Sequence, residues 1–228
     1  MNWNHFDKAI KHSRRIFIFG PPGVGKSYAA LAALGANVMQ VTLNSDTVVQ
    51  ELLGHYVPRG GEFIWHDGPI SKAFREGLPL VVNEIGRASG AVQDLMLAVL
   101  DDIQTAAITL PTGETIRPAN GFRVIATANT GPDALDEALH DRFDAVVRVS
   151  EPHPNLIEFL DQKLQGLGTA IKKSYLDVPR AVSPRRALAF LSLWTGGLSP
   201  EDASSLAFGD RGKDILLALK VQGVIEPK

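Results

Sequence analysis

Two short stretches hold the residue types that could do chemistry. GPPGVGKS, residues 20–27, has the G-x-x-x-x-G-K-[ST] spacing. Glycines at 20, 23 and 25 let a backbone fold around an anion, and the free N–H groups of a following helix start add donors and a favourable dipole. In this pattern Lys26 reaches the outer phosphates of ATP and the Ser27 hydroxyl ligates Mg2+. Pro21, Pro22, Val24 and Tyr28 complete the expected nucleotide-binding stretch. The second stretch is LPLVVNEIGRA, residues 78–88, an apolar run that ends in Asn83-Glu84. A strand ending in two acids brings one carboxylate to the Mg2+ shell and the next to an attacking water, which is hydrolytic chemistry. Glu84 is the expected base, and Asn83 stands at the metal position. An amide keeps the oxygen acceptor and loses the charge. At an effective dielectric of about 20, a unit pair at about 4 Å is worth roughly 4 kcal/mol before desolvation. The expectation is therefore Mg2+–ATP binding with weaker metal affinity and slower turnover than an Asp would give.

Positioning these residues requires strands and helices in alternation, and the chain supplies them. Apolar runs rich in β-branched residues predict strands at Arg15–Phe19, Val38–Leu43, Leu78–Val82, Arg123–Ala128 and Ala145–Val149. Helical periods fall at Ser27–Leu34, at Asp46–Leu53 with Asp46 as an acidic cap, and at Ala91–Gln104, where Asp101-Asp102 would form a solvated helix end. This predicts an α/β fold, a parallel sheet sandwiched by helices. Two insertions interrupt it. Residues 55–77 open with turn signals and aromatic residues, and residues 108–118 read as two short strands around Pro-Thr-Gly. After residue 151 the pattern is helical, with at most a short terminal strand. The expected division is a nucleotide-binding core over 1–150 and a small helical lid over 151–228.

The totals narrow the function classes. Across 228 residues, 45% are hydrophobic and 21% charged, enough to bury a core. The net charge of −2 does not advertise nucleic acid or an anionic membrane. With no Cys, disulfides, thiolate catalysis and Cys-based metal sites are excluded. The six histidines form neither HExxH nor an HxH pair, so protein-held zinc catalysis has little support, and His55 and His66 read as surface residues of the insertion. The start has no secretory h-region, and the uncharged stretch Tyr28–Ser45 is interrupted by polar residues, so it reads as a buried helix and strand rather than a membrane span. A cytoplasmic protein is expected.

Taken together, the ordered motifs resemble the AAA+ superfamily and, within it, the MoxR-like branch. That branch pairs GPPGxGKS with LLDEINRA; here LVVNEIGRA matches at Glu84 and Arg87 and departs at Asn83 and Gly86. ATANT, residues 126–130, looks like sensor 1, which implies that Asn129 bonds the γ-phosphate or the lytic water. ALHDRF, residues 138–143, is similar to the segment that carries the arginine finger, here Arg142, and SPRRA, residues 183–187, resembles the sensor 2 helix, with Arg185 at the matching position and Arg186 as its rival. An Arg suits both tasks because its fork of donors stays charged. The resemblance implies a hexameric ring closed around ATP, a lid that moves with nucleotide state, and work on a protein client, often with a von Willebrand factor A type adaptor, here supplied in trans. It makes 55–77 the helix-2 insert and 108–118 the pre-sensor 1 hairpin, both facing a pore. Tyr56, Phe63 and Trp65 either meet the client or pack the insert on the body. Two other readings remain: an ATP-gated assembly module with weak hydrolysis, and a DNA-associated motor using the Lys72–Arg75 face and the Arg117–Arg123 segment.

Overall fold

The computed structural model describes residues 3–177 and 182–225. In chain order the first part holds α1 (Trp3–His12), β1 (Arg15–Phe19), α2 (Lys26–Leu34), β2 (Met39–Thr42), α3 (Val49–Leu53), β3 (Gly54–Arg59), β4 (Glu62–Asp67), α4 (Pro69–Glu76), β5 (Leu80–Asn83), α5 (Gly90–Val99), β6 (Ile108–Thr109), β7 (Thr115–Ile116), β8 (Val124–Ala128), α6 (Glu137–His140) and β9 (Ala145–Arg148). Helices α7 (Pro154–Lys163), α8 (Leu167–Asp177), α9 (Pro184–Thr195), α10 (Pro200–Phe208) and α11 (Gly212–Val221) follow. Among the described residues no strand follows Arg148.

Five strands pair in parallel in the order β2-β5-β8-β1-β9. This is the predicted α/β architecture. Its central strands β5 and β8 are buried at every position, so their continuous apolar runs are those of a sheet covered on both faces. Phe17, Val82, Ile85, Met96 and Ala126 belong to the cluster that packs helices against it.

The chain separates into two compact units. One comprises Met1–Gly20 and Lys26–Arg148; the other comprises Pro21–Gly25 and Val149–Lys228. The second has its own core, built from Leu160, Leu167, Ile171, Phe190, Phe208 and Leu216 among others.

Local chemistry moves two expected boundaries, and one insertion holds an unexpected hairpin. Helix α3 starts at Val49, with Val48 and not Asp46 at its cap, because the Asn44 side chain has already taken the N–H groups of Asp46 and Thr47 in a turn. Helix α5 ends at Val99 rather than Gln104; Asp101 and Asp102 lie in a turn in which each side chain accepts a nearby backbone N–H. Residues 54–67, with no strand expected, form a hairpin whose six register pairs run from Gly54↔Asp67 to Arg59↔Glu62. Gly60 and Gly61 turn it at φ 63° and 88°, the two positive values that a tight hairpin turn demands. The short pair β6–β7 lies where two short strands were expected.

Candidate functional site

The tips of β1, β5 and β8 and the start of α2 bring most of the expected residues of the sheet unit together. Lys26 opens α2 and is only 7% exposed. Its ammonium donates to the Gly20 carbonyl and to Asn129 Oδ1, both at 2.8 Å. The Asn129 amide in turn donates to Glu84 Oε1 at 2.7 Å. A cation and a carboxylate are thus held on the two ends of one side-chain amide. That assignment of oxygen and nitrogen is the one that satisfies both neighbours.

Asn83 lies beside this chain and is 6% exposed. Its Oδ1 accepts from Ser27 Oγ at 2.5 Å and from Thr127 Oγ1 at 3.1 Å, while its Nδ2 donates to the Val41 carbonyl at 3.4 Å. The buried amide is therefore satisfied on both ends. An Asp here would keep the two hydroxyl contacts but turn a carboxylate oxygen toward a backbone carbonyl.

Adjacent residues of a strand point to opposite faces, yet Asn83 and Glu84 both join the polar network around Lys26 and Ser27. The backbone explains how. Glu84 adopts φ 58°, ψ 40°, and is the one non-glycine residue among those described with a positive φ. This left-handed step ends β5, breaks the alternation and swings the carboxylate toward Asn129. Such a conformation costs about 1–2 kcal/mol for an L-residue with a Cβ, so the surrounding packing must hold it. Ile85, fully buried in the same short turn, is one anchor.

In the second unit, the turn Pro21–Gly25 is held by the helical segment. Val24 O accepts the His153 N–H at 2.8 Å. Gly23 and Gly25 have φ 79° and 100°, and a Cβ at these positions would lie 2.5 Å from Ser183 Cβ and 2.6 Å from Leu156 Cδ1. Both positions need glycine for conformation and for space.

The remaining expected residues are placed separately. Arg142 follows α6, its Nη1 donates to the Ala138 carbonyl at 2.9 Å, and its Nε is buried with no partner. Arg185 and Arg186 occupy the first turn of α9. Both are exposed, and Arg186 donates to the Ala207 carbonyl at 3.3 Å. Pro21, Pro22 and Tyr28 are exposed and Val24 is buried. Thr127 was not singled out from the sequence, although it sits inside the ATANT stretch; only the register Asn83↔Thr127 between β5 and β8 reveals it. Of the insertion aromatics, Trp65 packs against the core, stacks edge-on with Tyr56 and donates to Asp67. Tyr56 and Phe63 remain 47% and 74% exposed.

A five-stranded parallel sheet, a glycine-rich loop opening a helix after β1, and a polar network at the strand tips define a P-loop protein with an AAA fold. The AAA domain (dynein-related subfamily) matches residues 15–143, more than half of the chain, which belongs to that family as an AAA+ ATPase of the MoxR-like branch. Protein NorQ of Paracoccus denitrificans is 34% identical over 129 residues, which is 55% of this chain and 47% of NorQ. The denitrification regulatory protein NirQ of Pseudomonas aeruginosa is 26% identical over 226 residues, covering 90% of this chain and 85% of NirQ. The chain matches about half the length of the first of these relatives. Among solved structures, NtrX from Brucella abortus superposes with a TM-score of 0.53 at 21% identity over 99% of this chain and 53% of that one, a likeness of fold. Among the described residues, no helix is long and apolar enough to cross a membrane.

Proposed function

We propose that the chain binds Mg2+–ATP at the Lys26–Ser27 end of the sheet and hydrolyses it slowly, with Glu84 orienting the attacking water and receiving its proton. The run of hydrogen bonds from Gly20 through Lys26 and Asn129 to Glu84, beside Ser27 and Asn83, is the observation that carries this reading. The donor set fits the ligand: a buried ammonium for phosphate oxygens, and a hydroxyl and an amide oxygen for a hard cation that prefers oxygen. When bound, the metal neutralises charge developing on the phosphoryl oxygens. Ser27 and Asn83 would hold it without contributing a formal charge. Asn129 keeps Lys26 and Glu84 in register, so both stay aimed at the phosphoryl group's surroundings.

Arg142 is the proposed finger for a neighbouring copy in a ring, a hexamer by family resemblance. Arg185 is the proposed phosphate sensor of the lid over 151–228, because Arg186 is already committed to Ala207. The ring would use turnover to remodel or activate a protein partner, with an adaptor in trans. The exposed Tyr56 and Phe63 favour a protein surface there. A DNA-motor reading has less support. Arg75 is bonded to Asp67 and Glu114, and Arg123 to the carbonyls of Ile10 and Ser13, so two of its proposed phosphate contacts are spent inside the fold.

Steady-state ATPase assays of the wild type and Glu84→Gln, with and without DNA, test this. Turnover that disappears in Glu84→Gln while nucleotide binding persists is the expected result. Unchanged turnover in that variant would end the assignment, and strong salt-sensitive stimulation by DNA would replace the protein-remodelling reading.

A further inference from the structure

The β3–β4 ladder seats His55 directly opposite His66. Directly opposed residues on an antiparallel pair share one face, with Cβ atoms about 4.5–5.5 Å apart, a spacing from which two imidazole nitrogens can converge on one ion. Both side chains are exposed, and among the described residues neither is bonded to another group. Their rings are free to turn toward each other.

The register beneath them is fixed. On the opposite face, Trp65 packs on Tyr56 and donates to Asp67 at 2.7 Å, and Asp67 also accepts from Arg75 at 2.7 Å. On the histidines' own face the next pair is Val57↔Ile64, and the charged pair Arg59↔Glu62 lies further out, at the turn. On this face of the hairpin the one carboxylate is that of Glu62, two pairs away from the histidines. Among the described residues no group of three or more His, Asp or Glu could hold a metal. An ion here would have two nitrogen ligands from the chain and open positions for water.

We propose that His55 and His66 form a two-imidazole site for a divalent late transition metal, Cu2+, Ni2+ or Zn2+, that staples the hairpin. Nitrogen donors select these ions over Mg2+, which prefers oxygen, so this site differs from the phosphate site in chemistry as well as in place. The second imidazole binds intramolecularly once the first is engaged, which raises affinity about 100-fold or more over a single histidine. The staple has work to do, because a two-stranded ladder is marginal in water by itself and only Trp65 of this one's larger side chains packs on the core.

Titrating the full chain with Cu2+, Ni2+ and Zn2+ by calorimetry, with tryptophan fluorescence as a second readout, tests the site. One ion per chain is expected, tightest for Cu2+, unaffected by excess Mg2+, and accompanied by slower amide exchange over residues 54–67. His55→Ala, His66→Ala and the milder His66→Gln should each weaken it about 100-fold, and His12→Ala should leave it unchanged. Equal binding by wild type and the His55/His66 variants, or none by the wild type, would overturn the proposal.

Discussion

Asn129 joins Lys26 to Glu84, accepting from the ammonium at 2.8 Å and donating to the carboxylate at 2.7 Å. Removing the amide leaves both charged groups in place without their spacer. Asn129→Ala is expected to lower kcat by about 100-fold, the scale of a misplaced general base, with a smaller change in ATP affinity because the glycine-rich loop is intact. Asn129→Asp should be worse, since a carboxylate cannot donate to Glu84. Equal kcat in the wild type and Asn129→Ala would show that the bridge does not orient the base.

The amide at position 83 makes a sharper prediction than the lost charge alone. Asn83 donates to the Val41 carbonyl and accepts from two hydroxyls in a buried setting. Asn83→Asp gains charge for Mg2+ but loses that donor, at a cost of about 1–3 kcal/mol for the partner left unsatisfied. The expected variant binds Mg2+ more tightly, turns over faster and melts at a lower temperature without metal. Calorimetric melting with and without Mg2+, alongside the ATPase rate, separates the effects. An unchanged metal dependence would mean that the amide is only a tolerated substitution and that it does not slow hydrolysis.

The contrast between these residues shows what a sequence can carry. Strand β1 was legible to the residue, because an apolar run feeding a glycine-rich loop leaves few alternatives. The types at 26, 27, 83 and 84 announced their chemistry. The left-handed backbone at Glu84 did not, because nothing in Asn-Glu-Ile encodes it; it is imposed by the packing of Ile85 and the pull of Asn129. Thr127 was invisible for a similar reason, since its partner is 44 positions away and is set by strand register. The β3–β4 hairpin carried a Gly-Gly turn signal, but apolar residues on both faces hid the period of two that marks a strand.

Arg75 links two hairpins. Its Nε donates to Asp67 at the base of β4, and Nη1 and Nη2 grip Glu114 near β7, each at 2.6 Å. The bidentate bond to Glu114, followed by the charge of both carboxylates, raises the guanidinium pKa above its ordinary value despite burial. Arg75→Ala should speed amide exchange in both hairpins together, and Arg75→Lys, which cannot reproduce the fork, should restore little of it. Exchange that rises in one hairpin alone would show that Arg75 does not couple them.

Asp144 sets a pH dependence whose sign follows from its neighbours. Burial alone would raise its pKa, but hydrogen bonds from the Arg15 side chain and from the backbone N–H groups of Arg15 and Arg14 outweigh that and lower it. A carboxyl depressed in the folded state binds protons more readily once unfolded. Its stabilisation is therefore complete above the ordinary Asp value of about 3.9 and is lost as pH falls through the lower folded value. Because the pair is partly exposed, solvent screening limits the effect of Asp144→Asn at pH 7 to about 1 kcal/mol. Denaturant midpoints of the wild type and Asp144→Asn should differ at pH 7 and converge as pH falls below about 4. A difference that stays constant down to acid would assign the loss to packing around Arg15 rather than to the charge on Asp144.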